Sequence, residues 1–282
     1  MVRLLNRAWR NDLAAVATSA RQSILIVAPF IKYDEAVWFC KQLRSGIDIL
    51  TLANIDSEAI SASALDLSAL RHLAEVSSSA TLIALSNLHA KVFVSDERAA
   101  IVTSGNLTRS AFDHNLEYGV LLNEPALVRT VRRDMLAFAR LGSQVAASAF
   151  AELVPLEAEF RKARAALASS ATPTAKRRFN NIMRQARPVF ASAQIGNRSA
   201  HAVFGEAIQF VLAHGPQTTK IIQEELRQLL PALCDDREDL IIKGERYGKA
   251  WKRRMRHAQL NLKLRGIIVY NASAKTWMLA GR

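Results

Sequence analysis

The chain has 282 residues, 50% of them hydrophobic, and 38 Lys and Arg residues against 25 Asp and Glu give a formal net charge of +13. The length is enough for two domains, no apolar run approaches the roughly 18 residues of a membrane span, and the amino terminus lacks a secretory signal, so we expect a cytoplasmic protein without a membrane partner. The two cysteines, Cys40 and Cys234, lie far apart and indicate neither a disulfide framework nor a cysteine-based zinc site.

The first half of the chain alternates strand and helix patterns. Residues 24–30 (ILIVAPF) and 47–52 (IDILTL) are β-branched runs around a helix-compatible stretch, and residues 63–76 predict a further helix. Closely spaced strands then follow. This order predicts an α/β domain over residues 1–150, with a mixed β-sheet sandwiched by helices. The later strands are expected at 81–85, 90–94, 100–103 and 119–122.

The middle of the chain is rich in alanine and arginine and predicts helices over 127–141 and 149–167. A break at 169–174 precedes a basic helix that we expect to end before Pro188, and residues 194–200 are expected to form a linker. We therefore predict a helical basic connector over 151–200. Its cations are either phosphate contacts or part of a solvated surface, and the sequence does not favour one over the other. They are Lys176, Arg177, Arg178, Arg184 and Arg187.

The last segment, residues 201–282, predicts three helices followed by a hairpin, which is the element order of a winged-helix domain. Helices are expected at 203–213 and 219–230, with Thr218 as the cap of the second. A longer helix should end at Gly266, which is a common stop residue.

The helix expected at 249–265 carries seven Lys or Arg residues and no acid. Solvated helix faces normally mix the two signs, so this composition favours a recognition helix that contacts DNA. Helical spacing places Trp251, Met255, Ala258 and Leu262 in the core. The predicted DNA-binding residues are Lys249, Lys252, Arg253, Arg256, Gln259 and Lys263.

The net positive charge of the chain comes from residues 125–282. Residues 1–124 carry 11 basic and 13 acidic side chains, whereas residues 125–200 carry 13 and 4 and residues 201–282 carry 14 and 8. A polyanionic partner is indicated, and DNA is the partner we expect, held by parts of the chain other than the first 124 residues.

Five polar side chains form the candidate catalytic site. Alternate residues of a strand share a face, so His89 and Lys91 should project together, as should Ser104 and Asn106 if their strand continues. If the two strands pair, an imidazole, an ammonium, a hydroxyl and an amide converge, with Glu117 as an acidic partner. That set suits a phosphate group.

The chemistry of phosphodiester cleavage needs these residue types. A neutral His89 could attack phosphorus to form a phosphohistidine intermediate. Lys91, Asn106 and Ser104 would donate to the charged oxygens, and Glu117 could accept a hydrogen bond from His89. No metal and no cofactor is required. A second, protonated histidine would serve the leaving group, and a homodimer would bring one from each protomer to a shared site.

This spacing resembles the signature of the phospholipase D superfamily. Residues 89–108 read HAKVFVSDERAAIVTSGNLT, with Thr103 where the family usually has glycine. Glu117 falls where similar enzymes carry an acidic partner. A single copy of the motif resembles the dimeric nuclease branch, which includes metal-independent restriction endonucleases, and the carboxy-terminal unit more loosely resembles winged helices of restriction and DNA-defence enzymes. The resemblance implies a homodimeric, metal-independent DNA endonuclease with a restriction or defence role.

Two other functions stay open. A phospholipid hydrolase or transferase of the same superfamily should show two motif copies or an amphipathic membrane surface, and neither is visible. A DNA-binding regulator with a decayed nuclease site is opposed by the intact motif. Asp96 is expected in a hairpin turn, where a structural role is favoured over a catalytic one. His114 is interpreted as a surface loop residue, with a substrate contact as the alternative.

Overall fold

The structure is a computed structural model that describes residues 2–281 except 7–8, 56–58, 61–62, 171, 196–197, 232 and 243–244. Side chains at 183, 186–188, 190–195 and 242 are also outside the description, so the contacts predicted for Arg187 are not addressed. The described chain forms two compact units, Met1–Ala139 with Ser143–Gly196 and Arg140–Gly142 with Asn197–Arg282.

An eight-stranded mixed sheet organises the first unit, in the order β1-β7-β6-β5-β2-β3-β4-β8. Pairing is parallel from β2 through β3 to β4 and antiparallel elsewhere. This architecture confirms the predicted α/β mixed sheet flanked by helices. The strands are β1 (Val2–Asn6), β2 (Ser23–Val27), β3 (Asp48–Ala53), β4 (Thr81–Ala84), β5 (Val92–Ser95), β6 (Ala99–Thr103), β7 (Tyr118–Leu122) and β8 (Ser143–Gln144).

Both faces of this sheet are buried, as expected of strands rich in β-branched residues. On one face Ile26 and Phe93 belong to the main core cluster, and on the other Leu25 and Val94 are equally inaccessible. Helices therefore cover the sheet on both sides. Those between the strands and after β7 are α1 (Arg10–Ser19), α2 (Tyr33–Cys40), α3 (Leu67–Glu75), α4 (Arg109–Asp113) and α5 (Pro125–Leu141).

Two longer helices complete the first unit, α6 (Phe150–Ser169) and α7 (Pro173–Ile195), and they pack against each other. The prediction that the basic helix ends before Pro188 is wrong, because α7 continues to Ile195. The linker expected at 194–200 is shorter than predicted: α7 takes up residues 194–195 and the next helix starts at Ala200, whereas residues 198–199 are not helical and residues 196–197 lie outside the described residues.

The second unit contains α8 (Ala200–Leu212), α9 (Thr219–Leu229), α10 (Ala250–Leu264) and the hairpin β11 (Ile268–Asn271) and β12 (Thr276–Leu279). Thr218 caps α9 by accepting from the backbone N–H of Ile221 at 3.3 Å, and Gly266 follows α10 with φ +67°. An unpredicted hairpin, β9 (Asp239–Ile242) and β10 (Glu245–Lys249), precedes α10. The winged-helix assignment stays a prediction.

The strand β12 also pairs with the turn between α8 and α9. The backbone N–H groups and carbonyls of Gln217 and Trp277 exchange hydrogen bonds of 2.8 and 2.9 Å. The hairpin is thereby tied to the helices of its own unit. No helix in the described part of the chain combines the length and apolar character needed to cross a membrane.

Candidate active site

The candidate site lies at one edge of the large sheet, where several strand ends meet. The carboxyl end of β2 pairs with the start of β5, since Val27 lies opposite Val92. The start of β5 also meets the end of β6, because the Thr103 N–H donates to the Lys91 carbonyl at 3.0 Å. His89, Ser104 and Asn106 therefore all leave the sheet at the same edge, although none lies within a strand.

His89 and Lys91 contact each other directly. The Lys91 Nζ lies 3.1 Å from His89 Nε2 and donates to the His89 carbonyl at 2.7 Å. When Lys91 is an ammonium it can only donate, so Nε2 accepts and the imidazole proton sits on Nδ1. The side chain of His89 is exposed, whereas Lys91 is buried with 6% exposure. The exposed imidazole of His89 thus lies beside a buried cation, which contacts its Nε2.

Burial lowers the pKa of Lys91 below its usual value, and the negative charge of Glu117 partly opposes that shift. The ammonium is the charged form, and removing it from water disfavours it. The carboxylate of Glu117 thereby favours the charged form of Lys91.

Glu117 is held by neighbours other than His89. Ser104 Oγ donates a short hydrogen bond to Glu117 Oε2, and Asn115 Nδ2 donates to Oε1 at 2.9 Å. Ser104 Oγ in turn accepts from the Tyr118 backbone N–H at 3.0 Å. The predicted hydrogen bond between Glu117 and His89 is not formed among the described residues. The predicted donation by Ser104 to a phosphate is also not supported, because its one hydroxyl proton goes to Glu117.

Asn106 is oriented by the segment that follows β2. Its Oδ1 accepts from the Phe30 backbone N–H at 3.3 Å, and Ile31 and Leu107 form a parallel bridge beside it. With the oxygen engaged in this way, the amide NH2 is the group available to a phosphate oxygen. The donor role of Asn106 toward a phosphate stays a prediction, with which this orientation is compatible.

Thr103, the departure from the family pattern, is accommodated by two glycines. Gly119 lies opposite it in β7, and a Cβ there would fall 2.5 Å from the Val102 carbonyl and 2.8 Å from the Thr103 Cβ. The Thr103 hydroxyl accepts from the Gly105 N–H at 3.2 Å. Gly105 itself lies against Trp9, with only 2.6 Å between an added Cβ and the indole. A threonine at position 103 therefore does not break the pairing of β6 with β7.

Asp96 lies at the opposite end of β5. Its carboxylate accepts backbone N–H groups of Arg21, Gln22 and Ser23 at 2.9, 3.0 and 2.7 Å. Seven residues of mostly extended chain separate it from His89, which corresponds to about 20 Å. Asp96 fastens the start of β2 to the β5–β6 turn, and this arrangement supports the structural interpretation.

The remaining candidates are dispersed. His114 is exposed after α4, as predicted for a loop residue. In the described part of the chain no three His, Cys, Asp or Glu side chains are grouped so that they could hold a metal ion. Sequence reasoning missed Asn115, Tyr118 and the Phe30 backbone, which position Glu117, Ser104 and Asn106. Asn115 and Tyr118 flank Glu117 in sequence, which was the available signal, whereas the backbone contact of Phe30 leaves none.

The candidate DNA-binding helix α10 is partly as predicted. Trp251, Met255, Ala258 and Leu262 are buried, with exposures of 1, 0, 0 and 3%. The outward position predicted for Gln259 is wrong, because its side chain is 3% exposed and its Nε2 is buried without a hydrogen-bond partner. Lys249 forms an ion pair with Asp239 at 2.7 Å. Lys252 is partly exposed, and Arg253, Arg256 and Lys263 are exposed.

Comparison with known proteins finds a family model that is similar to part of the first unit. The family model described as "Cardiolipin synthase, PLD-like domain" matches residues 13–138. The matched segment is similar to phospholipase D-like domains, and it contains the whole candidate site. Cardiolipin synthase 1 from Bacillus anthracis is 28% identical over 131 residues, which cover 46% of this chain but 26% of the synthase. The chain thus matches about a quarter of that relative's length.

Two solved structures resemble about half of the chain. Nuc, a phospholipase D family member from Salmonella typhimurium, is 22% identical with a TM-score of 0.44 and covers 51% of this chain and 97% of its own. NucT from Helicobacter pylori is 15% identical with a TM-score of 0.41 and covers 49% of this chain and 94% of its own.

Proposed function

We propose that the protein is a metal-independent phosphodiesterase that cleaves DNA through a phosphohistidine on His89, at a site shared by two copies of the chain. The observation that carries the proposal is the exposed imidazole of His89 beside the buried Lys91, at the sheet edge that also holds Asn106. An accessible nucleophile with fixed donors around it is what attack on a phosphodiester requires.

In the proposed reaction His89 Nε2 attacks phosphorus, and the bond from phosphorus to the leaving oxygen breaks. Since Lys91 Nζ contacts that same nitrogen before substrate binds, the ammonium must turn to a phosphate oxygen as the lone pair is released. Asn106 donates its amide to another oxygen. Glu117 acts by keeping Lys91 charged and by holding Ser104, so both Glu117 and Ser104 are positioning residues in this scheme.

Departure of the leaving oxygen needs a proton donor, which the His-x-Lys motif of one chain does not supply. His89 is the histidine of the motif, and no second His-x-Lys pair occurs in the sequence. A protonated His89 from a second copy would protonate the leaving oxygen, and as a neutral base it would then activate the water that hydrolyses the phosphohistidine. Leu116 and Tyr118, 81% and 57% exposed, give the site's rim an apolar surface suited to a second copy.

DNA is proposed as substrate because residues 125–282 carry the net positive charge of the chain and would bind a polyanion, while the residues of the site lie before them. We assign cleavage to residues 1–150 and DNA binding to the predicted winged helix, residues 201–282, through Arg253, Arg256 and Lys263. A restriction or defence role would follow if cleavage proves to be sequence-specific.

A phospholipid hydrolase or transferase is the second candidate, favoured by the match to cardiolipin synthase. Both reactions use the same chemistry, so the substrate must be tested directly. Supercoiled plasmid and vesicles of phosphatidylglycerol and cardiolipin should be incubated with the protein at pH 5 to 8, with EDTA and with added Mg²⁺. We expect nicked or linear plasmid and intact lipid, and no cleavage by His89→Ala.

Release of headgroup from the vesicles with intact plasmid would establish the lipid alternative. Because a site-specific enzyme could miss one plasmid, a genomic digest should be included before DNA cleavage is rejected. Duplex binding without any cleavage of either substrate would support a regulator with a decayed site. Equilibrium sedimentation tests the shared site, since an active monomer contradicts it.

A further inference from the structure

We infer that the outward surface of α7 is a second contact surface for the phosphate backbone of duplex DNA, separate from α10. The proposal deepens the proposed function, on which it rests for the identity of the polyanion. It concerns four cations of the connector that the candidate site does not use, Lys176, Arg177, Arg178 and Arg184.

The sequence around α7 lacks negative charge over an unusual length. Between Glu159 and Glu206 lie 46 residues with nine Lys or Arg and no Asp or Glu. A solvated helix of ordinary composition would interleave both signs. The unbalanced charge must therefore be screened by ions or met by a polyanion.

Packing of α7 fixes which side carries these cations. Phe179 and Ile182 belong to or pack on the main core cluster, one turn apart on the inner side. Lys176, Arg177, Arg178 and Arg184 are all exposed. Asn180, Asn181 and Gln185 lie between or beside them, and Asn181 and Gln185 are exposed as well. The outward surface thus combines cations with neutral hydrogen-bond donors, the residue types that contact phosphate and sugar oxygens.

The cations of α7 differ from those of three other helices, α3, α4 and α9. Arg71, Arg109 and Lys220 each have an acidic residue four positions later within 4.0 Å. Within the described residues, no ion pair involves the four cations of α7, and Arg184 instead donates to Asn181 Oδ1 at 3.2 Å. Since none of the described acidic side chains pairs with them, they are available to an external anion.

The neighbouring α6 shows that the fold neutralises cations where they serve packing. Arg161 contacts Asp66 at 3.0 Å and also contacts Glu157, whose Oε2 accepts from the Leu67 backbone N–H at 3.1 Å. This network fastens α6 to the start of α3. It therefore fixes the base on which α7 lies.

The position of α7 suits a duplex that crosses the candidate site. The helix packs against β8, which lies four strands from β5 in the sheet. At about 4.8 Å per strand this is roughly 19 Å. Such a distance corresponds to about six base pairs at 3.4 Å each. This strand spacing sets the scale over which one duplex would have to extend to reach both the site and α7.

The test measures duplex binding by the full chain in a His89→Ala background, so that the DNA stays intact. A fluorescein-labelled duplex of 30 base pairs is titrated from 50 to 300 mM KCl. The test variant is Arg177→Gln/Arg178→Gln/Arg184→Gln. The matched control, Lys41→Gln/Arg44→Gln/Arg71→Gln, removes the same charge from exposed positions beyond α2 and on α3. Arg-to-Lys exchange at the three α7 positions keeps charge and serves as rescue.

We expect the test variant to bind at least tenfold more weakly at 150 mM KCl and to lower the log–log salt slope by about 2 to 3, at about 0.9 per phosphate contact. The control should change the salt slope by less than about 0.9, the value for one phosphate contact, and the Arg-to-Lys variant should have the slope of the parent. Equal losses in test and control variants, an unchanged slope in the test variant, or absence of duplex binding by the parent would each overturn the proposal.

Vesicles of phosphatidylglycerol and cardiolipin provide the competing arm. If the test variant loses vesicle binding and keeps duplex binding, α7 serves a lipid surface and the proposal is wrong. Plasmid cleavage with His89 intact is scored separately. If the test variant lowers the salt slope as expected but the protein with His89 intact does not cut plasmid, the nuclease proposal is wrong and the α7 proposal stands. If the protein with His89 intact cuts plasmid but the test variant leaves the salt slope unchanged, the α7 proposal is wrong and the nuclease proposal stands.

Discussion

Replacement of Asp96 tests whether its carboxylate has a structural or a catalytic role. The side chain accepts three backbone N–H groups that begin β2, and Arg98 lies 3.6 Å away. Asp96 has φ +50°, a conformation that asparagine tolerates better than alanine. Asp96→Asn therefore keeps the backbone and one acceptor oxygen, while Asp96→Ala removes every acceptor and adds backbone strain.

The expected cost follows from the three hydrogen bonds. At about 1 kcal/mol each, after allowing for water that can replace the more exposed ones, Asp96→Ala should lower the free energy of unfolding by roughly 3 kcal/mol. Asp96→Asn should lose about 1 to 1.5 kcal/mol, since one oxygen is kept. For a unit of this size 1 kcal/mol corresponds to about 2 to 4 °C, so the Ala variant should melt roughly 6 to 12 °C lower.

The dependence on pH has a defined sign. Burial of Asp96 favours a higher pKa, but hydrogen bonds from the N–H groups of Ser23, Arg21 and Gln22, together with Arg98, outweigh it and leave the pKa below the usual value. A carboxyl with a lowered pKa in the folded state contributes stability above its unfolded pKa of about 4. That contribution is lost as pH falls through the folded pKa, so the difference between parent and Asp96→Asn should shrink in acid.

Differential scanning calorimetry at pH 7 and pH 3.5 measures these effects, with cleavage assayed well below the melting temperature. Glu75→Gln, which breaks an exposed ion pair with Arg71 at 4.0 Å, is the control and should shift the melting temperature by less than about 2 °C. A melting temperature unchanged in Asp96→Ala would refute the structural argument. A tenfold loss of kcat with unchanged melting would place Asp96 in the chemistry.

Three further predictions address other positions. Glu117→Gln removes the charge that opposes the fall in the Lys91 pKa, so the alkaline limb of the pH–rate profile should move to lower pH, and a limb that stays in place would contradict the coupling. Gly119→Ala places a Cβ 2.5 Å from the Val102 carbonyl oxygen, so the free energy of unfolding measured by urea titration should fall by about 1 to 3 kcal/mol. Gly205→Ala in α8 is the control: its Cβ would meet nothing within 4 Å, and it should be neutral or stabilising by up to about 1 kcal/mol. Gln259→Leu fills the same buried space without an unpaired amide, so the free energy of unfolding should be equal or higher. Its DNA affinity, measured by fluorescence anisotropy, should be unchanged, whereas Arg256→Ala should weaken binding. A loss of affinity in Gln259→Leu would show that this residue contacts DNA after all.

The fold and the convergence of the site were predictable because they depend on local patterns. Alternating β-branched runs gave β2 and β3, and the antiparallel pairing of β5 with β6 brought His89 toward Asn106 as the motif spacing indicated. The partner of Glu117 was not predictable, because a carboxylate near a histidine and a serine can bind either, and only the position of the Tyr118 N–H decides. Residue type alone left the choice open.

Helix faces show a similar limit. The period of α10 correctly placed Trp251 and Met255 inside, but Gln259 follows Ala258 on the border of the buried stripe, and a polar type was taken as a sign of exposure. Continuation of α7 past Pro188 was missed because proline usually ends a helix. Both rules describe local tendencies, and a single sequence carries no record of the tertiary contacts that can outweigh them.

The contact of Trp9 with Gly105 has a spectroscopic consequence. The indole is 1% exposed, donates from Nε1 to the Ala111 carbonyl at 3.0 Å and lies beneath the segment that carries Ser104 and Asn106. Any displacement of that segment changes the polarity around a fully shielded fluorophore. With Trp38, Trp251 and Trp277 replaced by phenylalanine, the emission of Trp9 would report movement of the motif in real time, without a label.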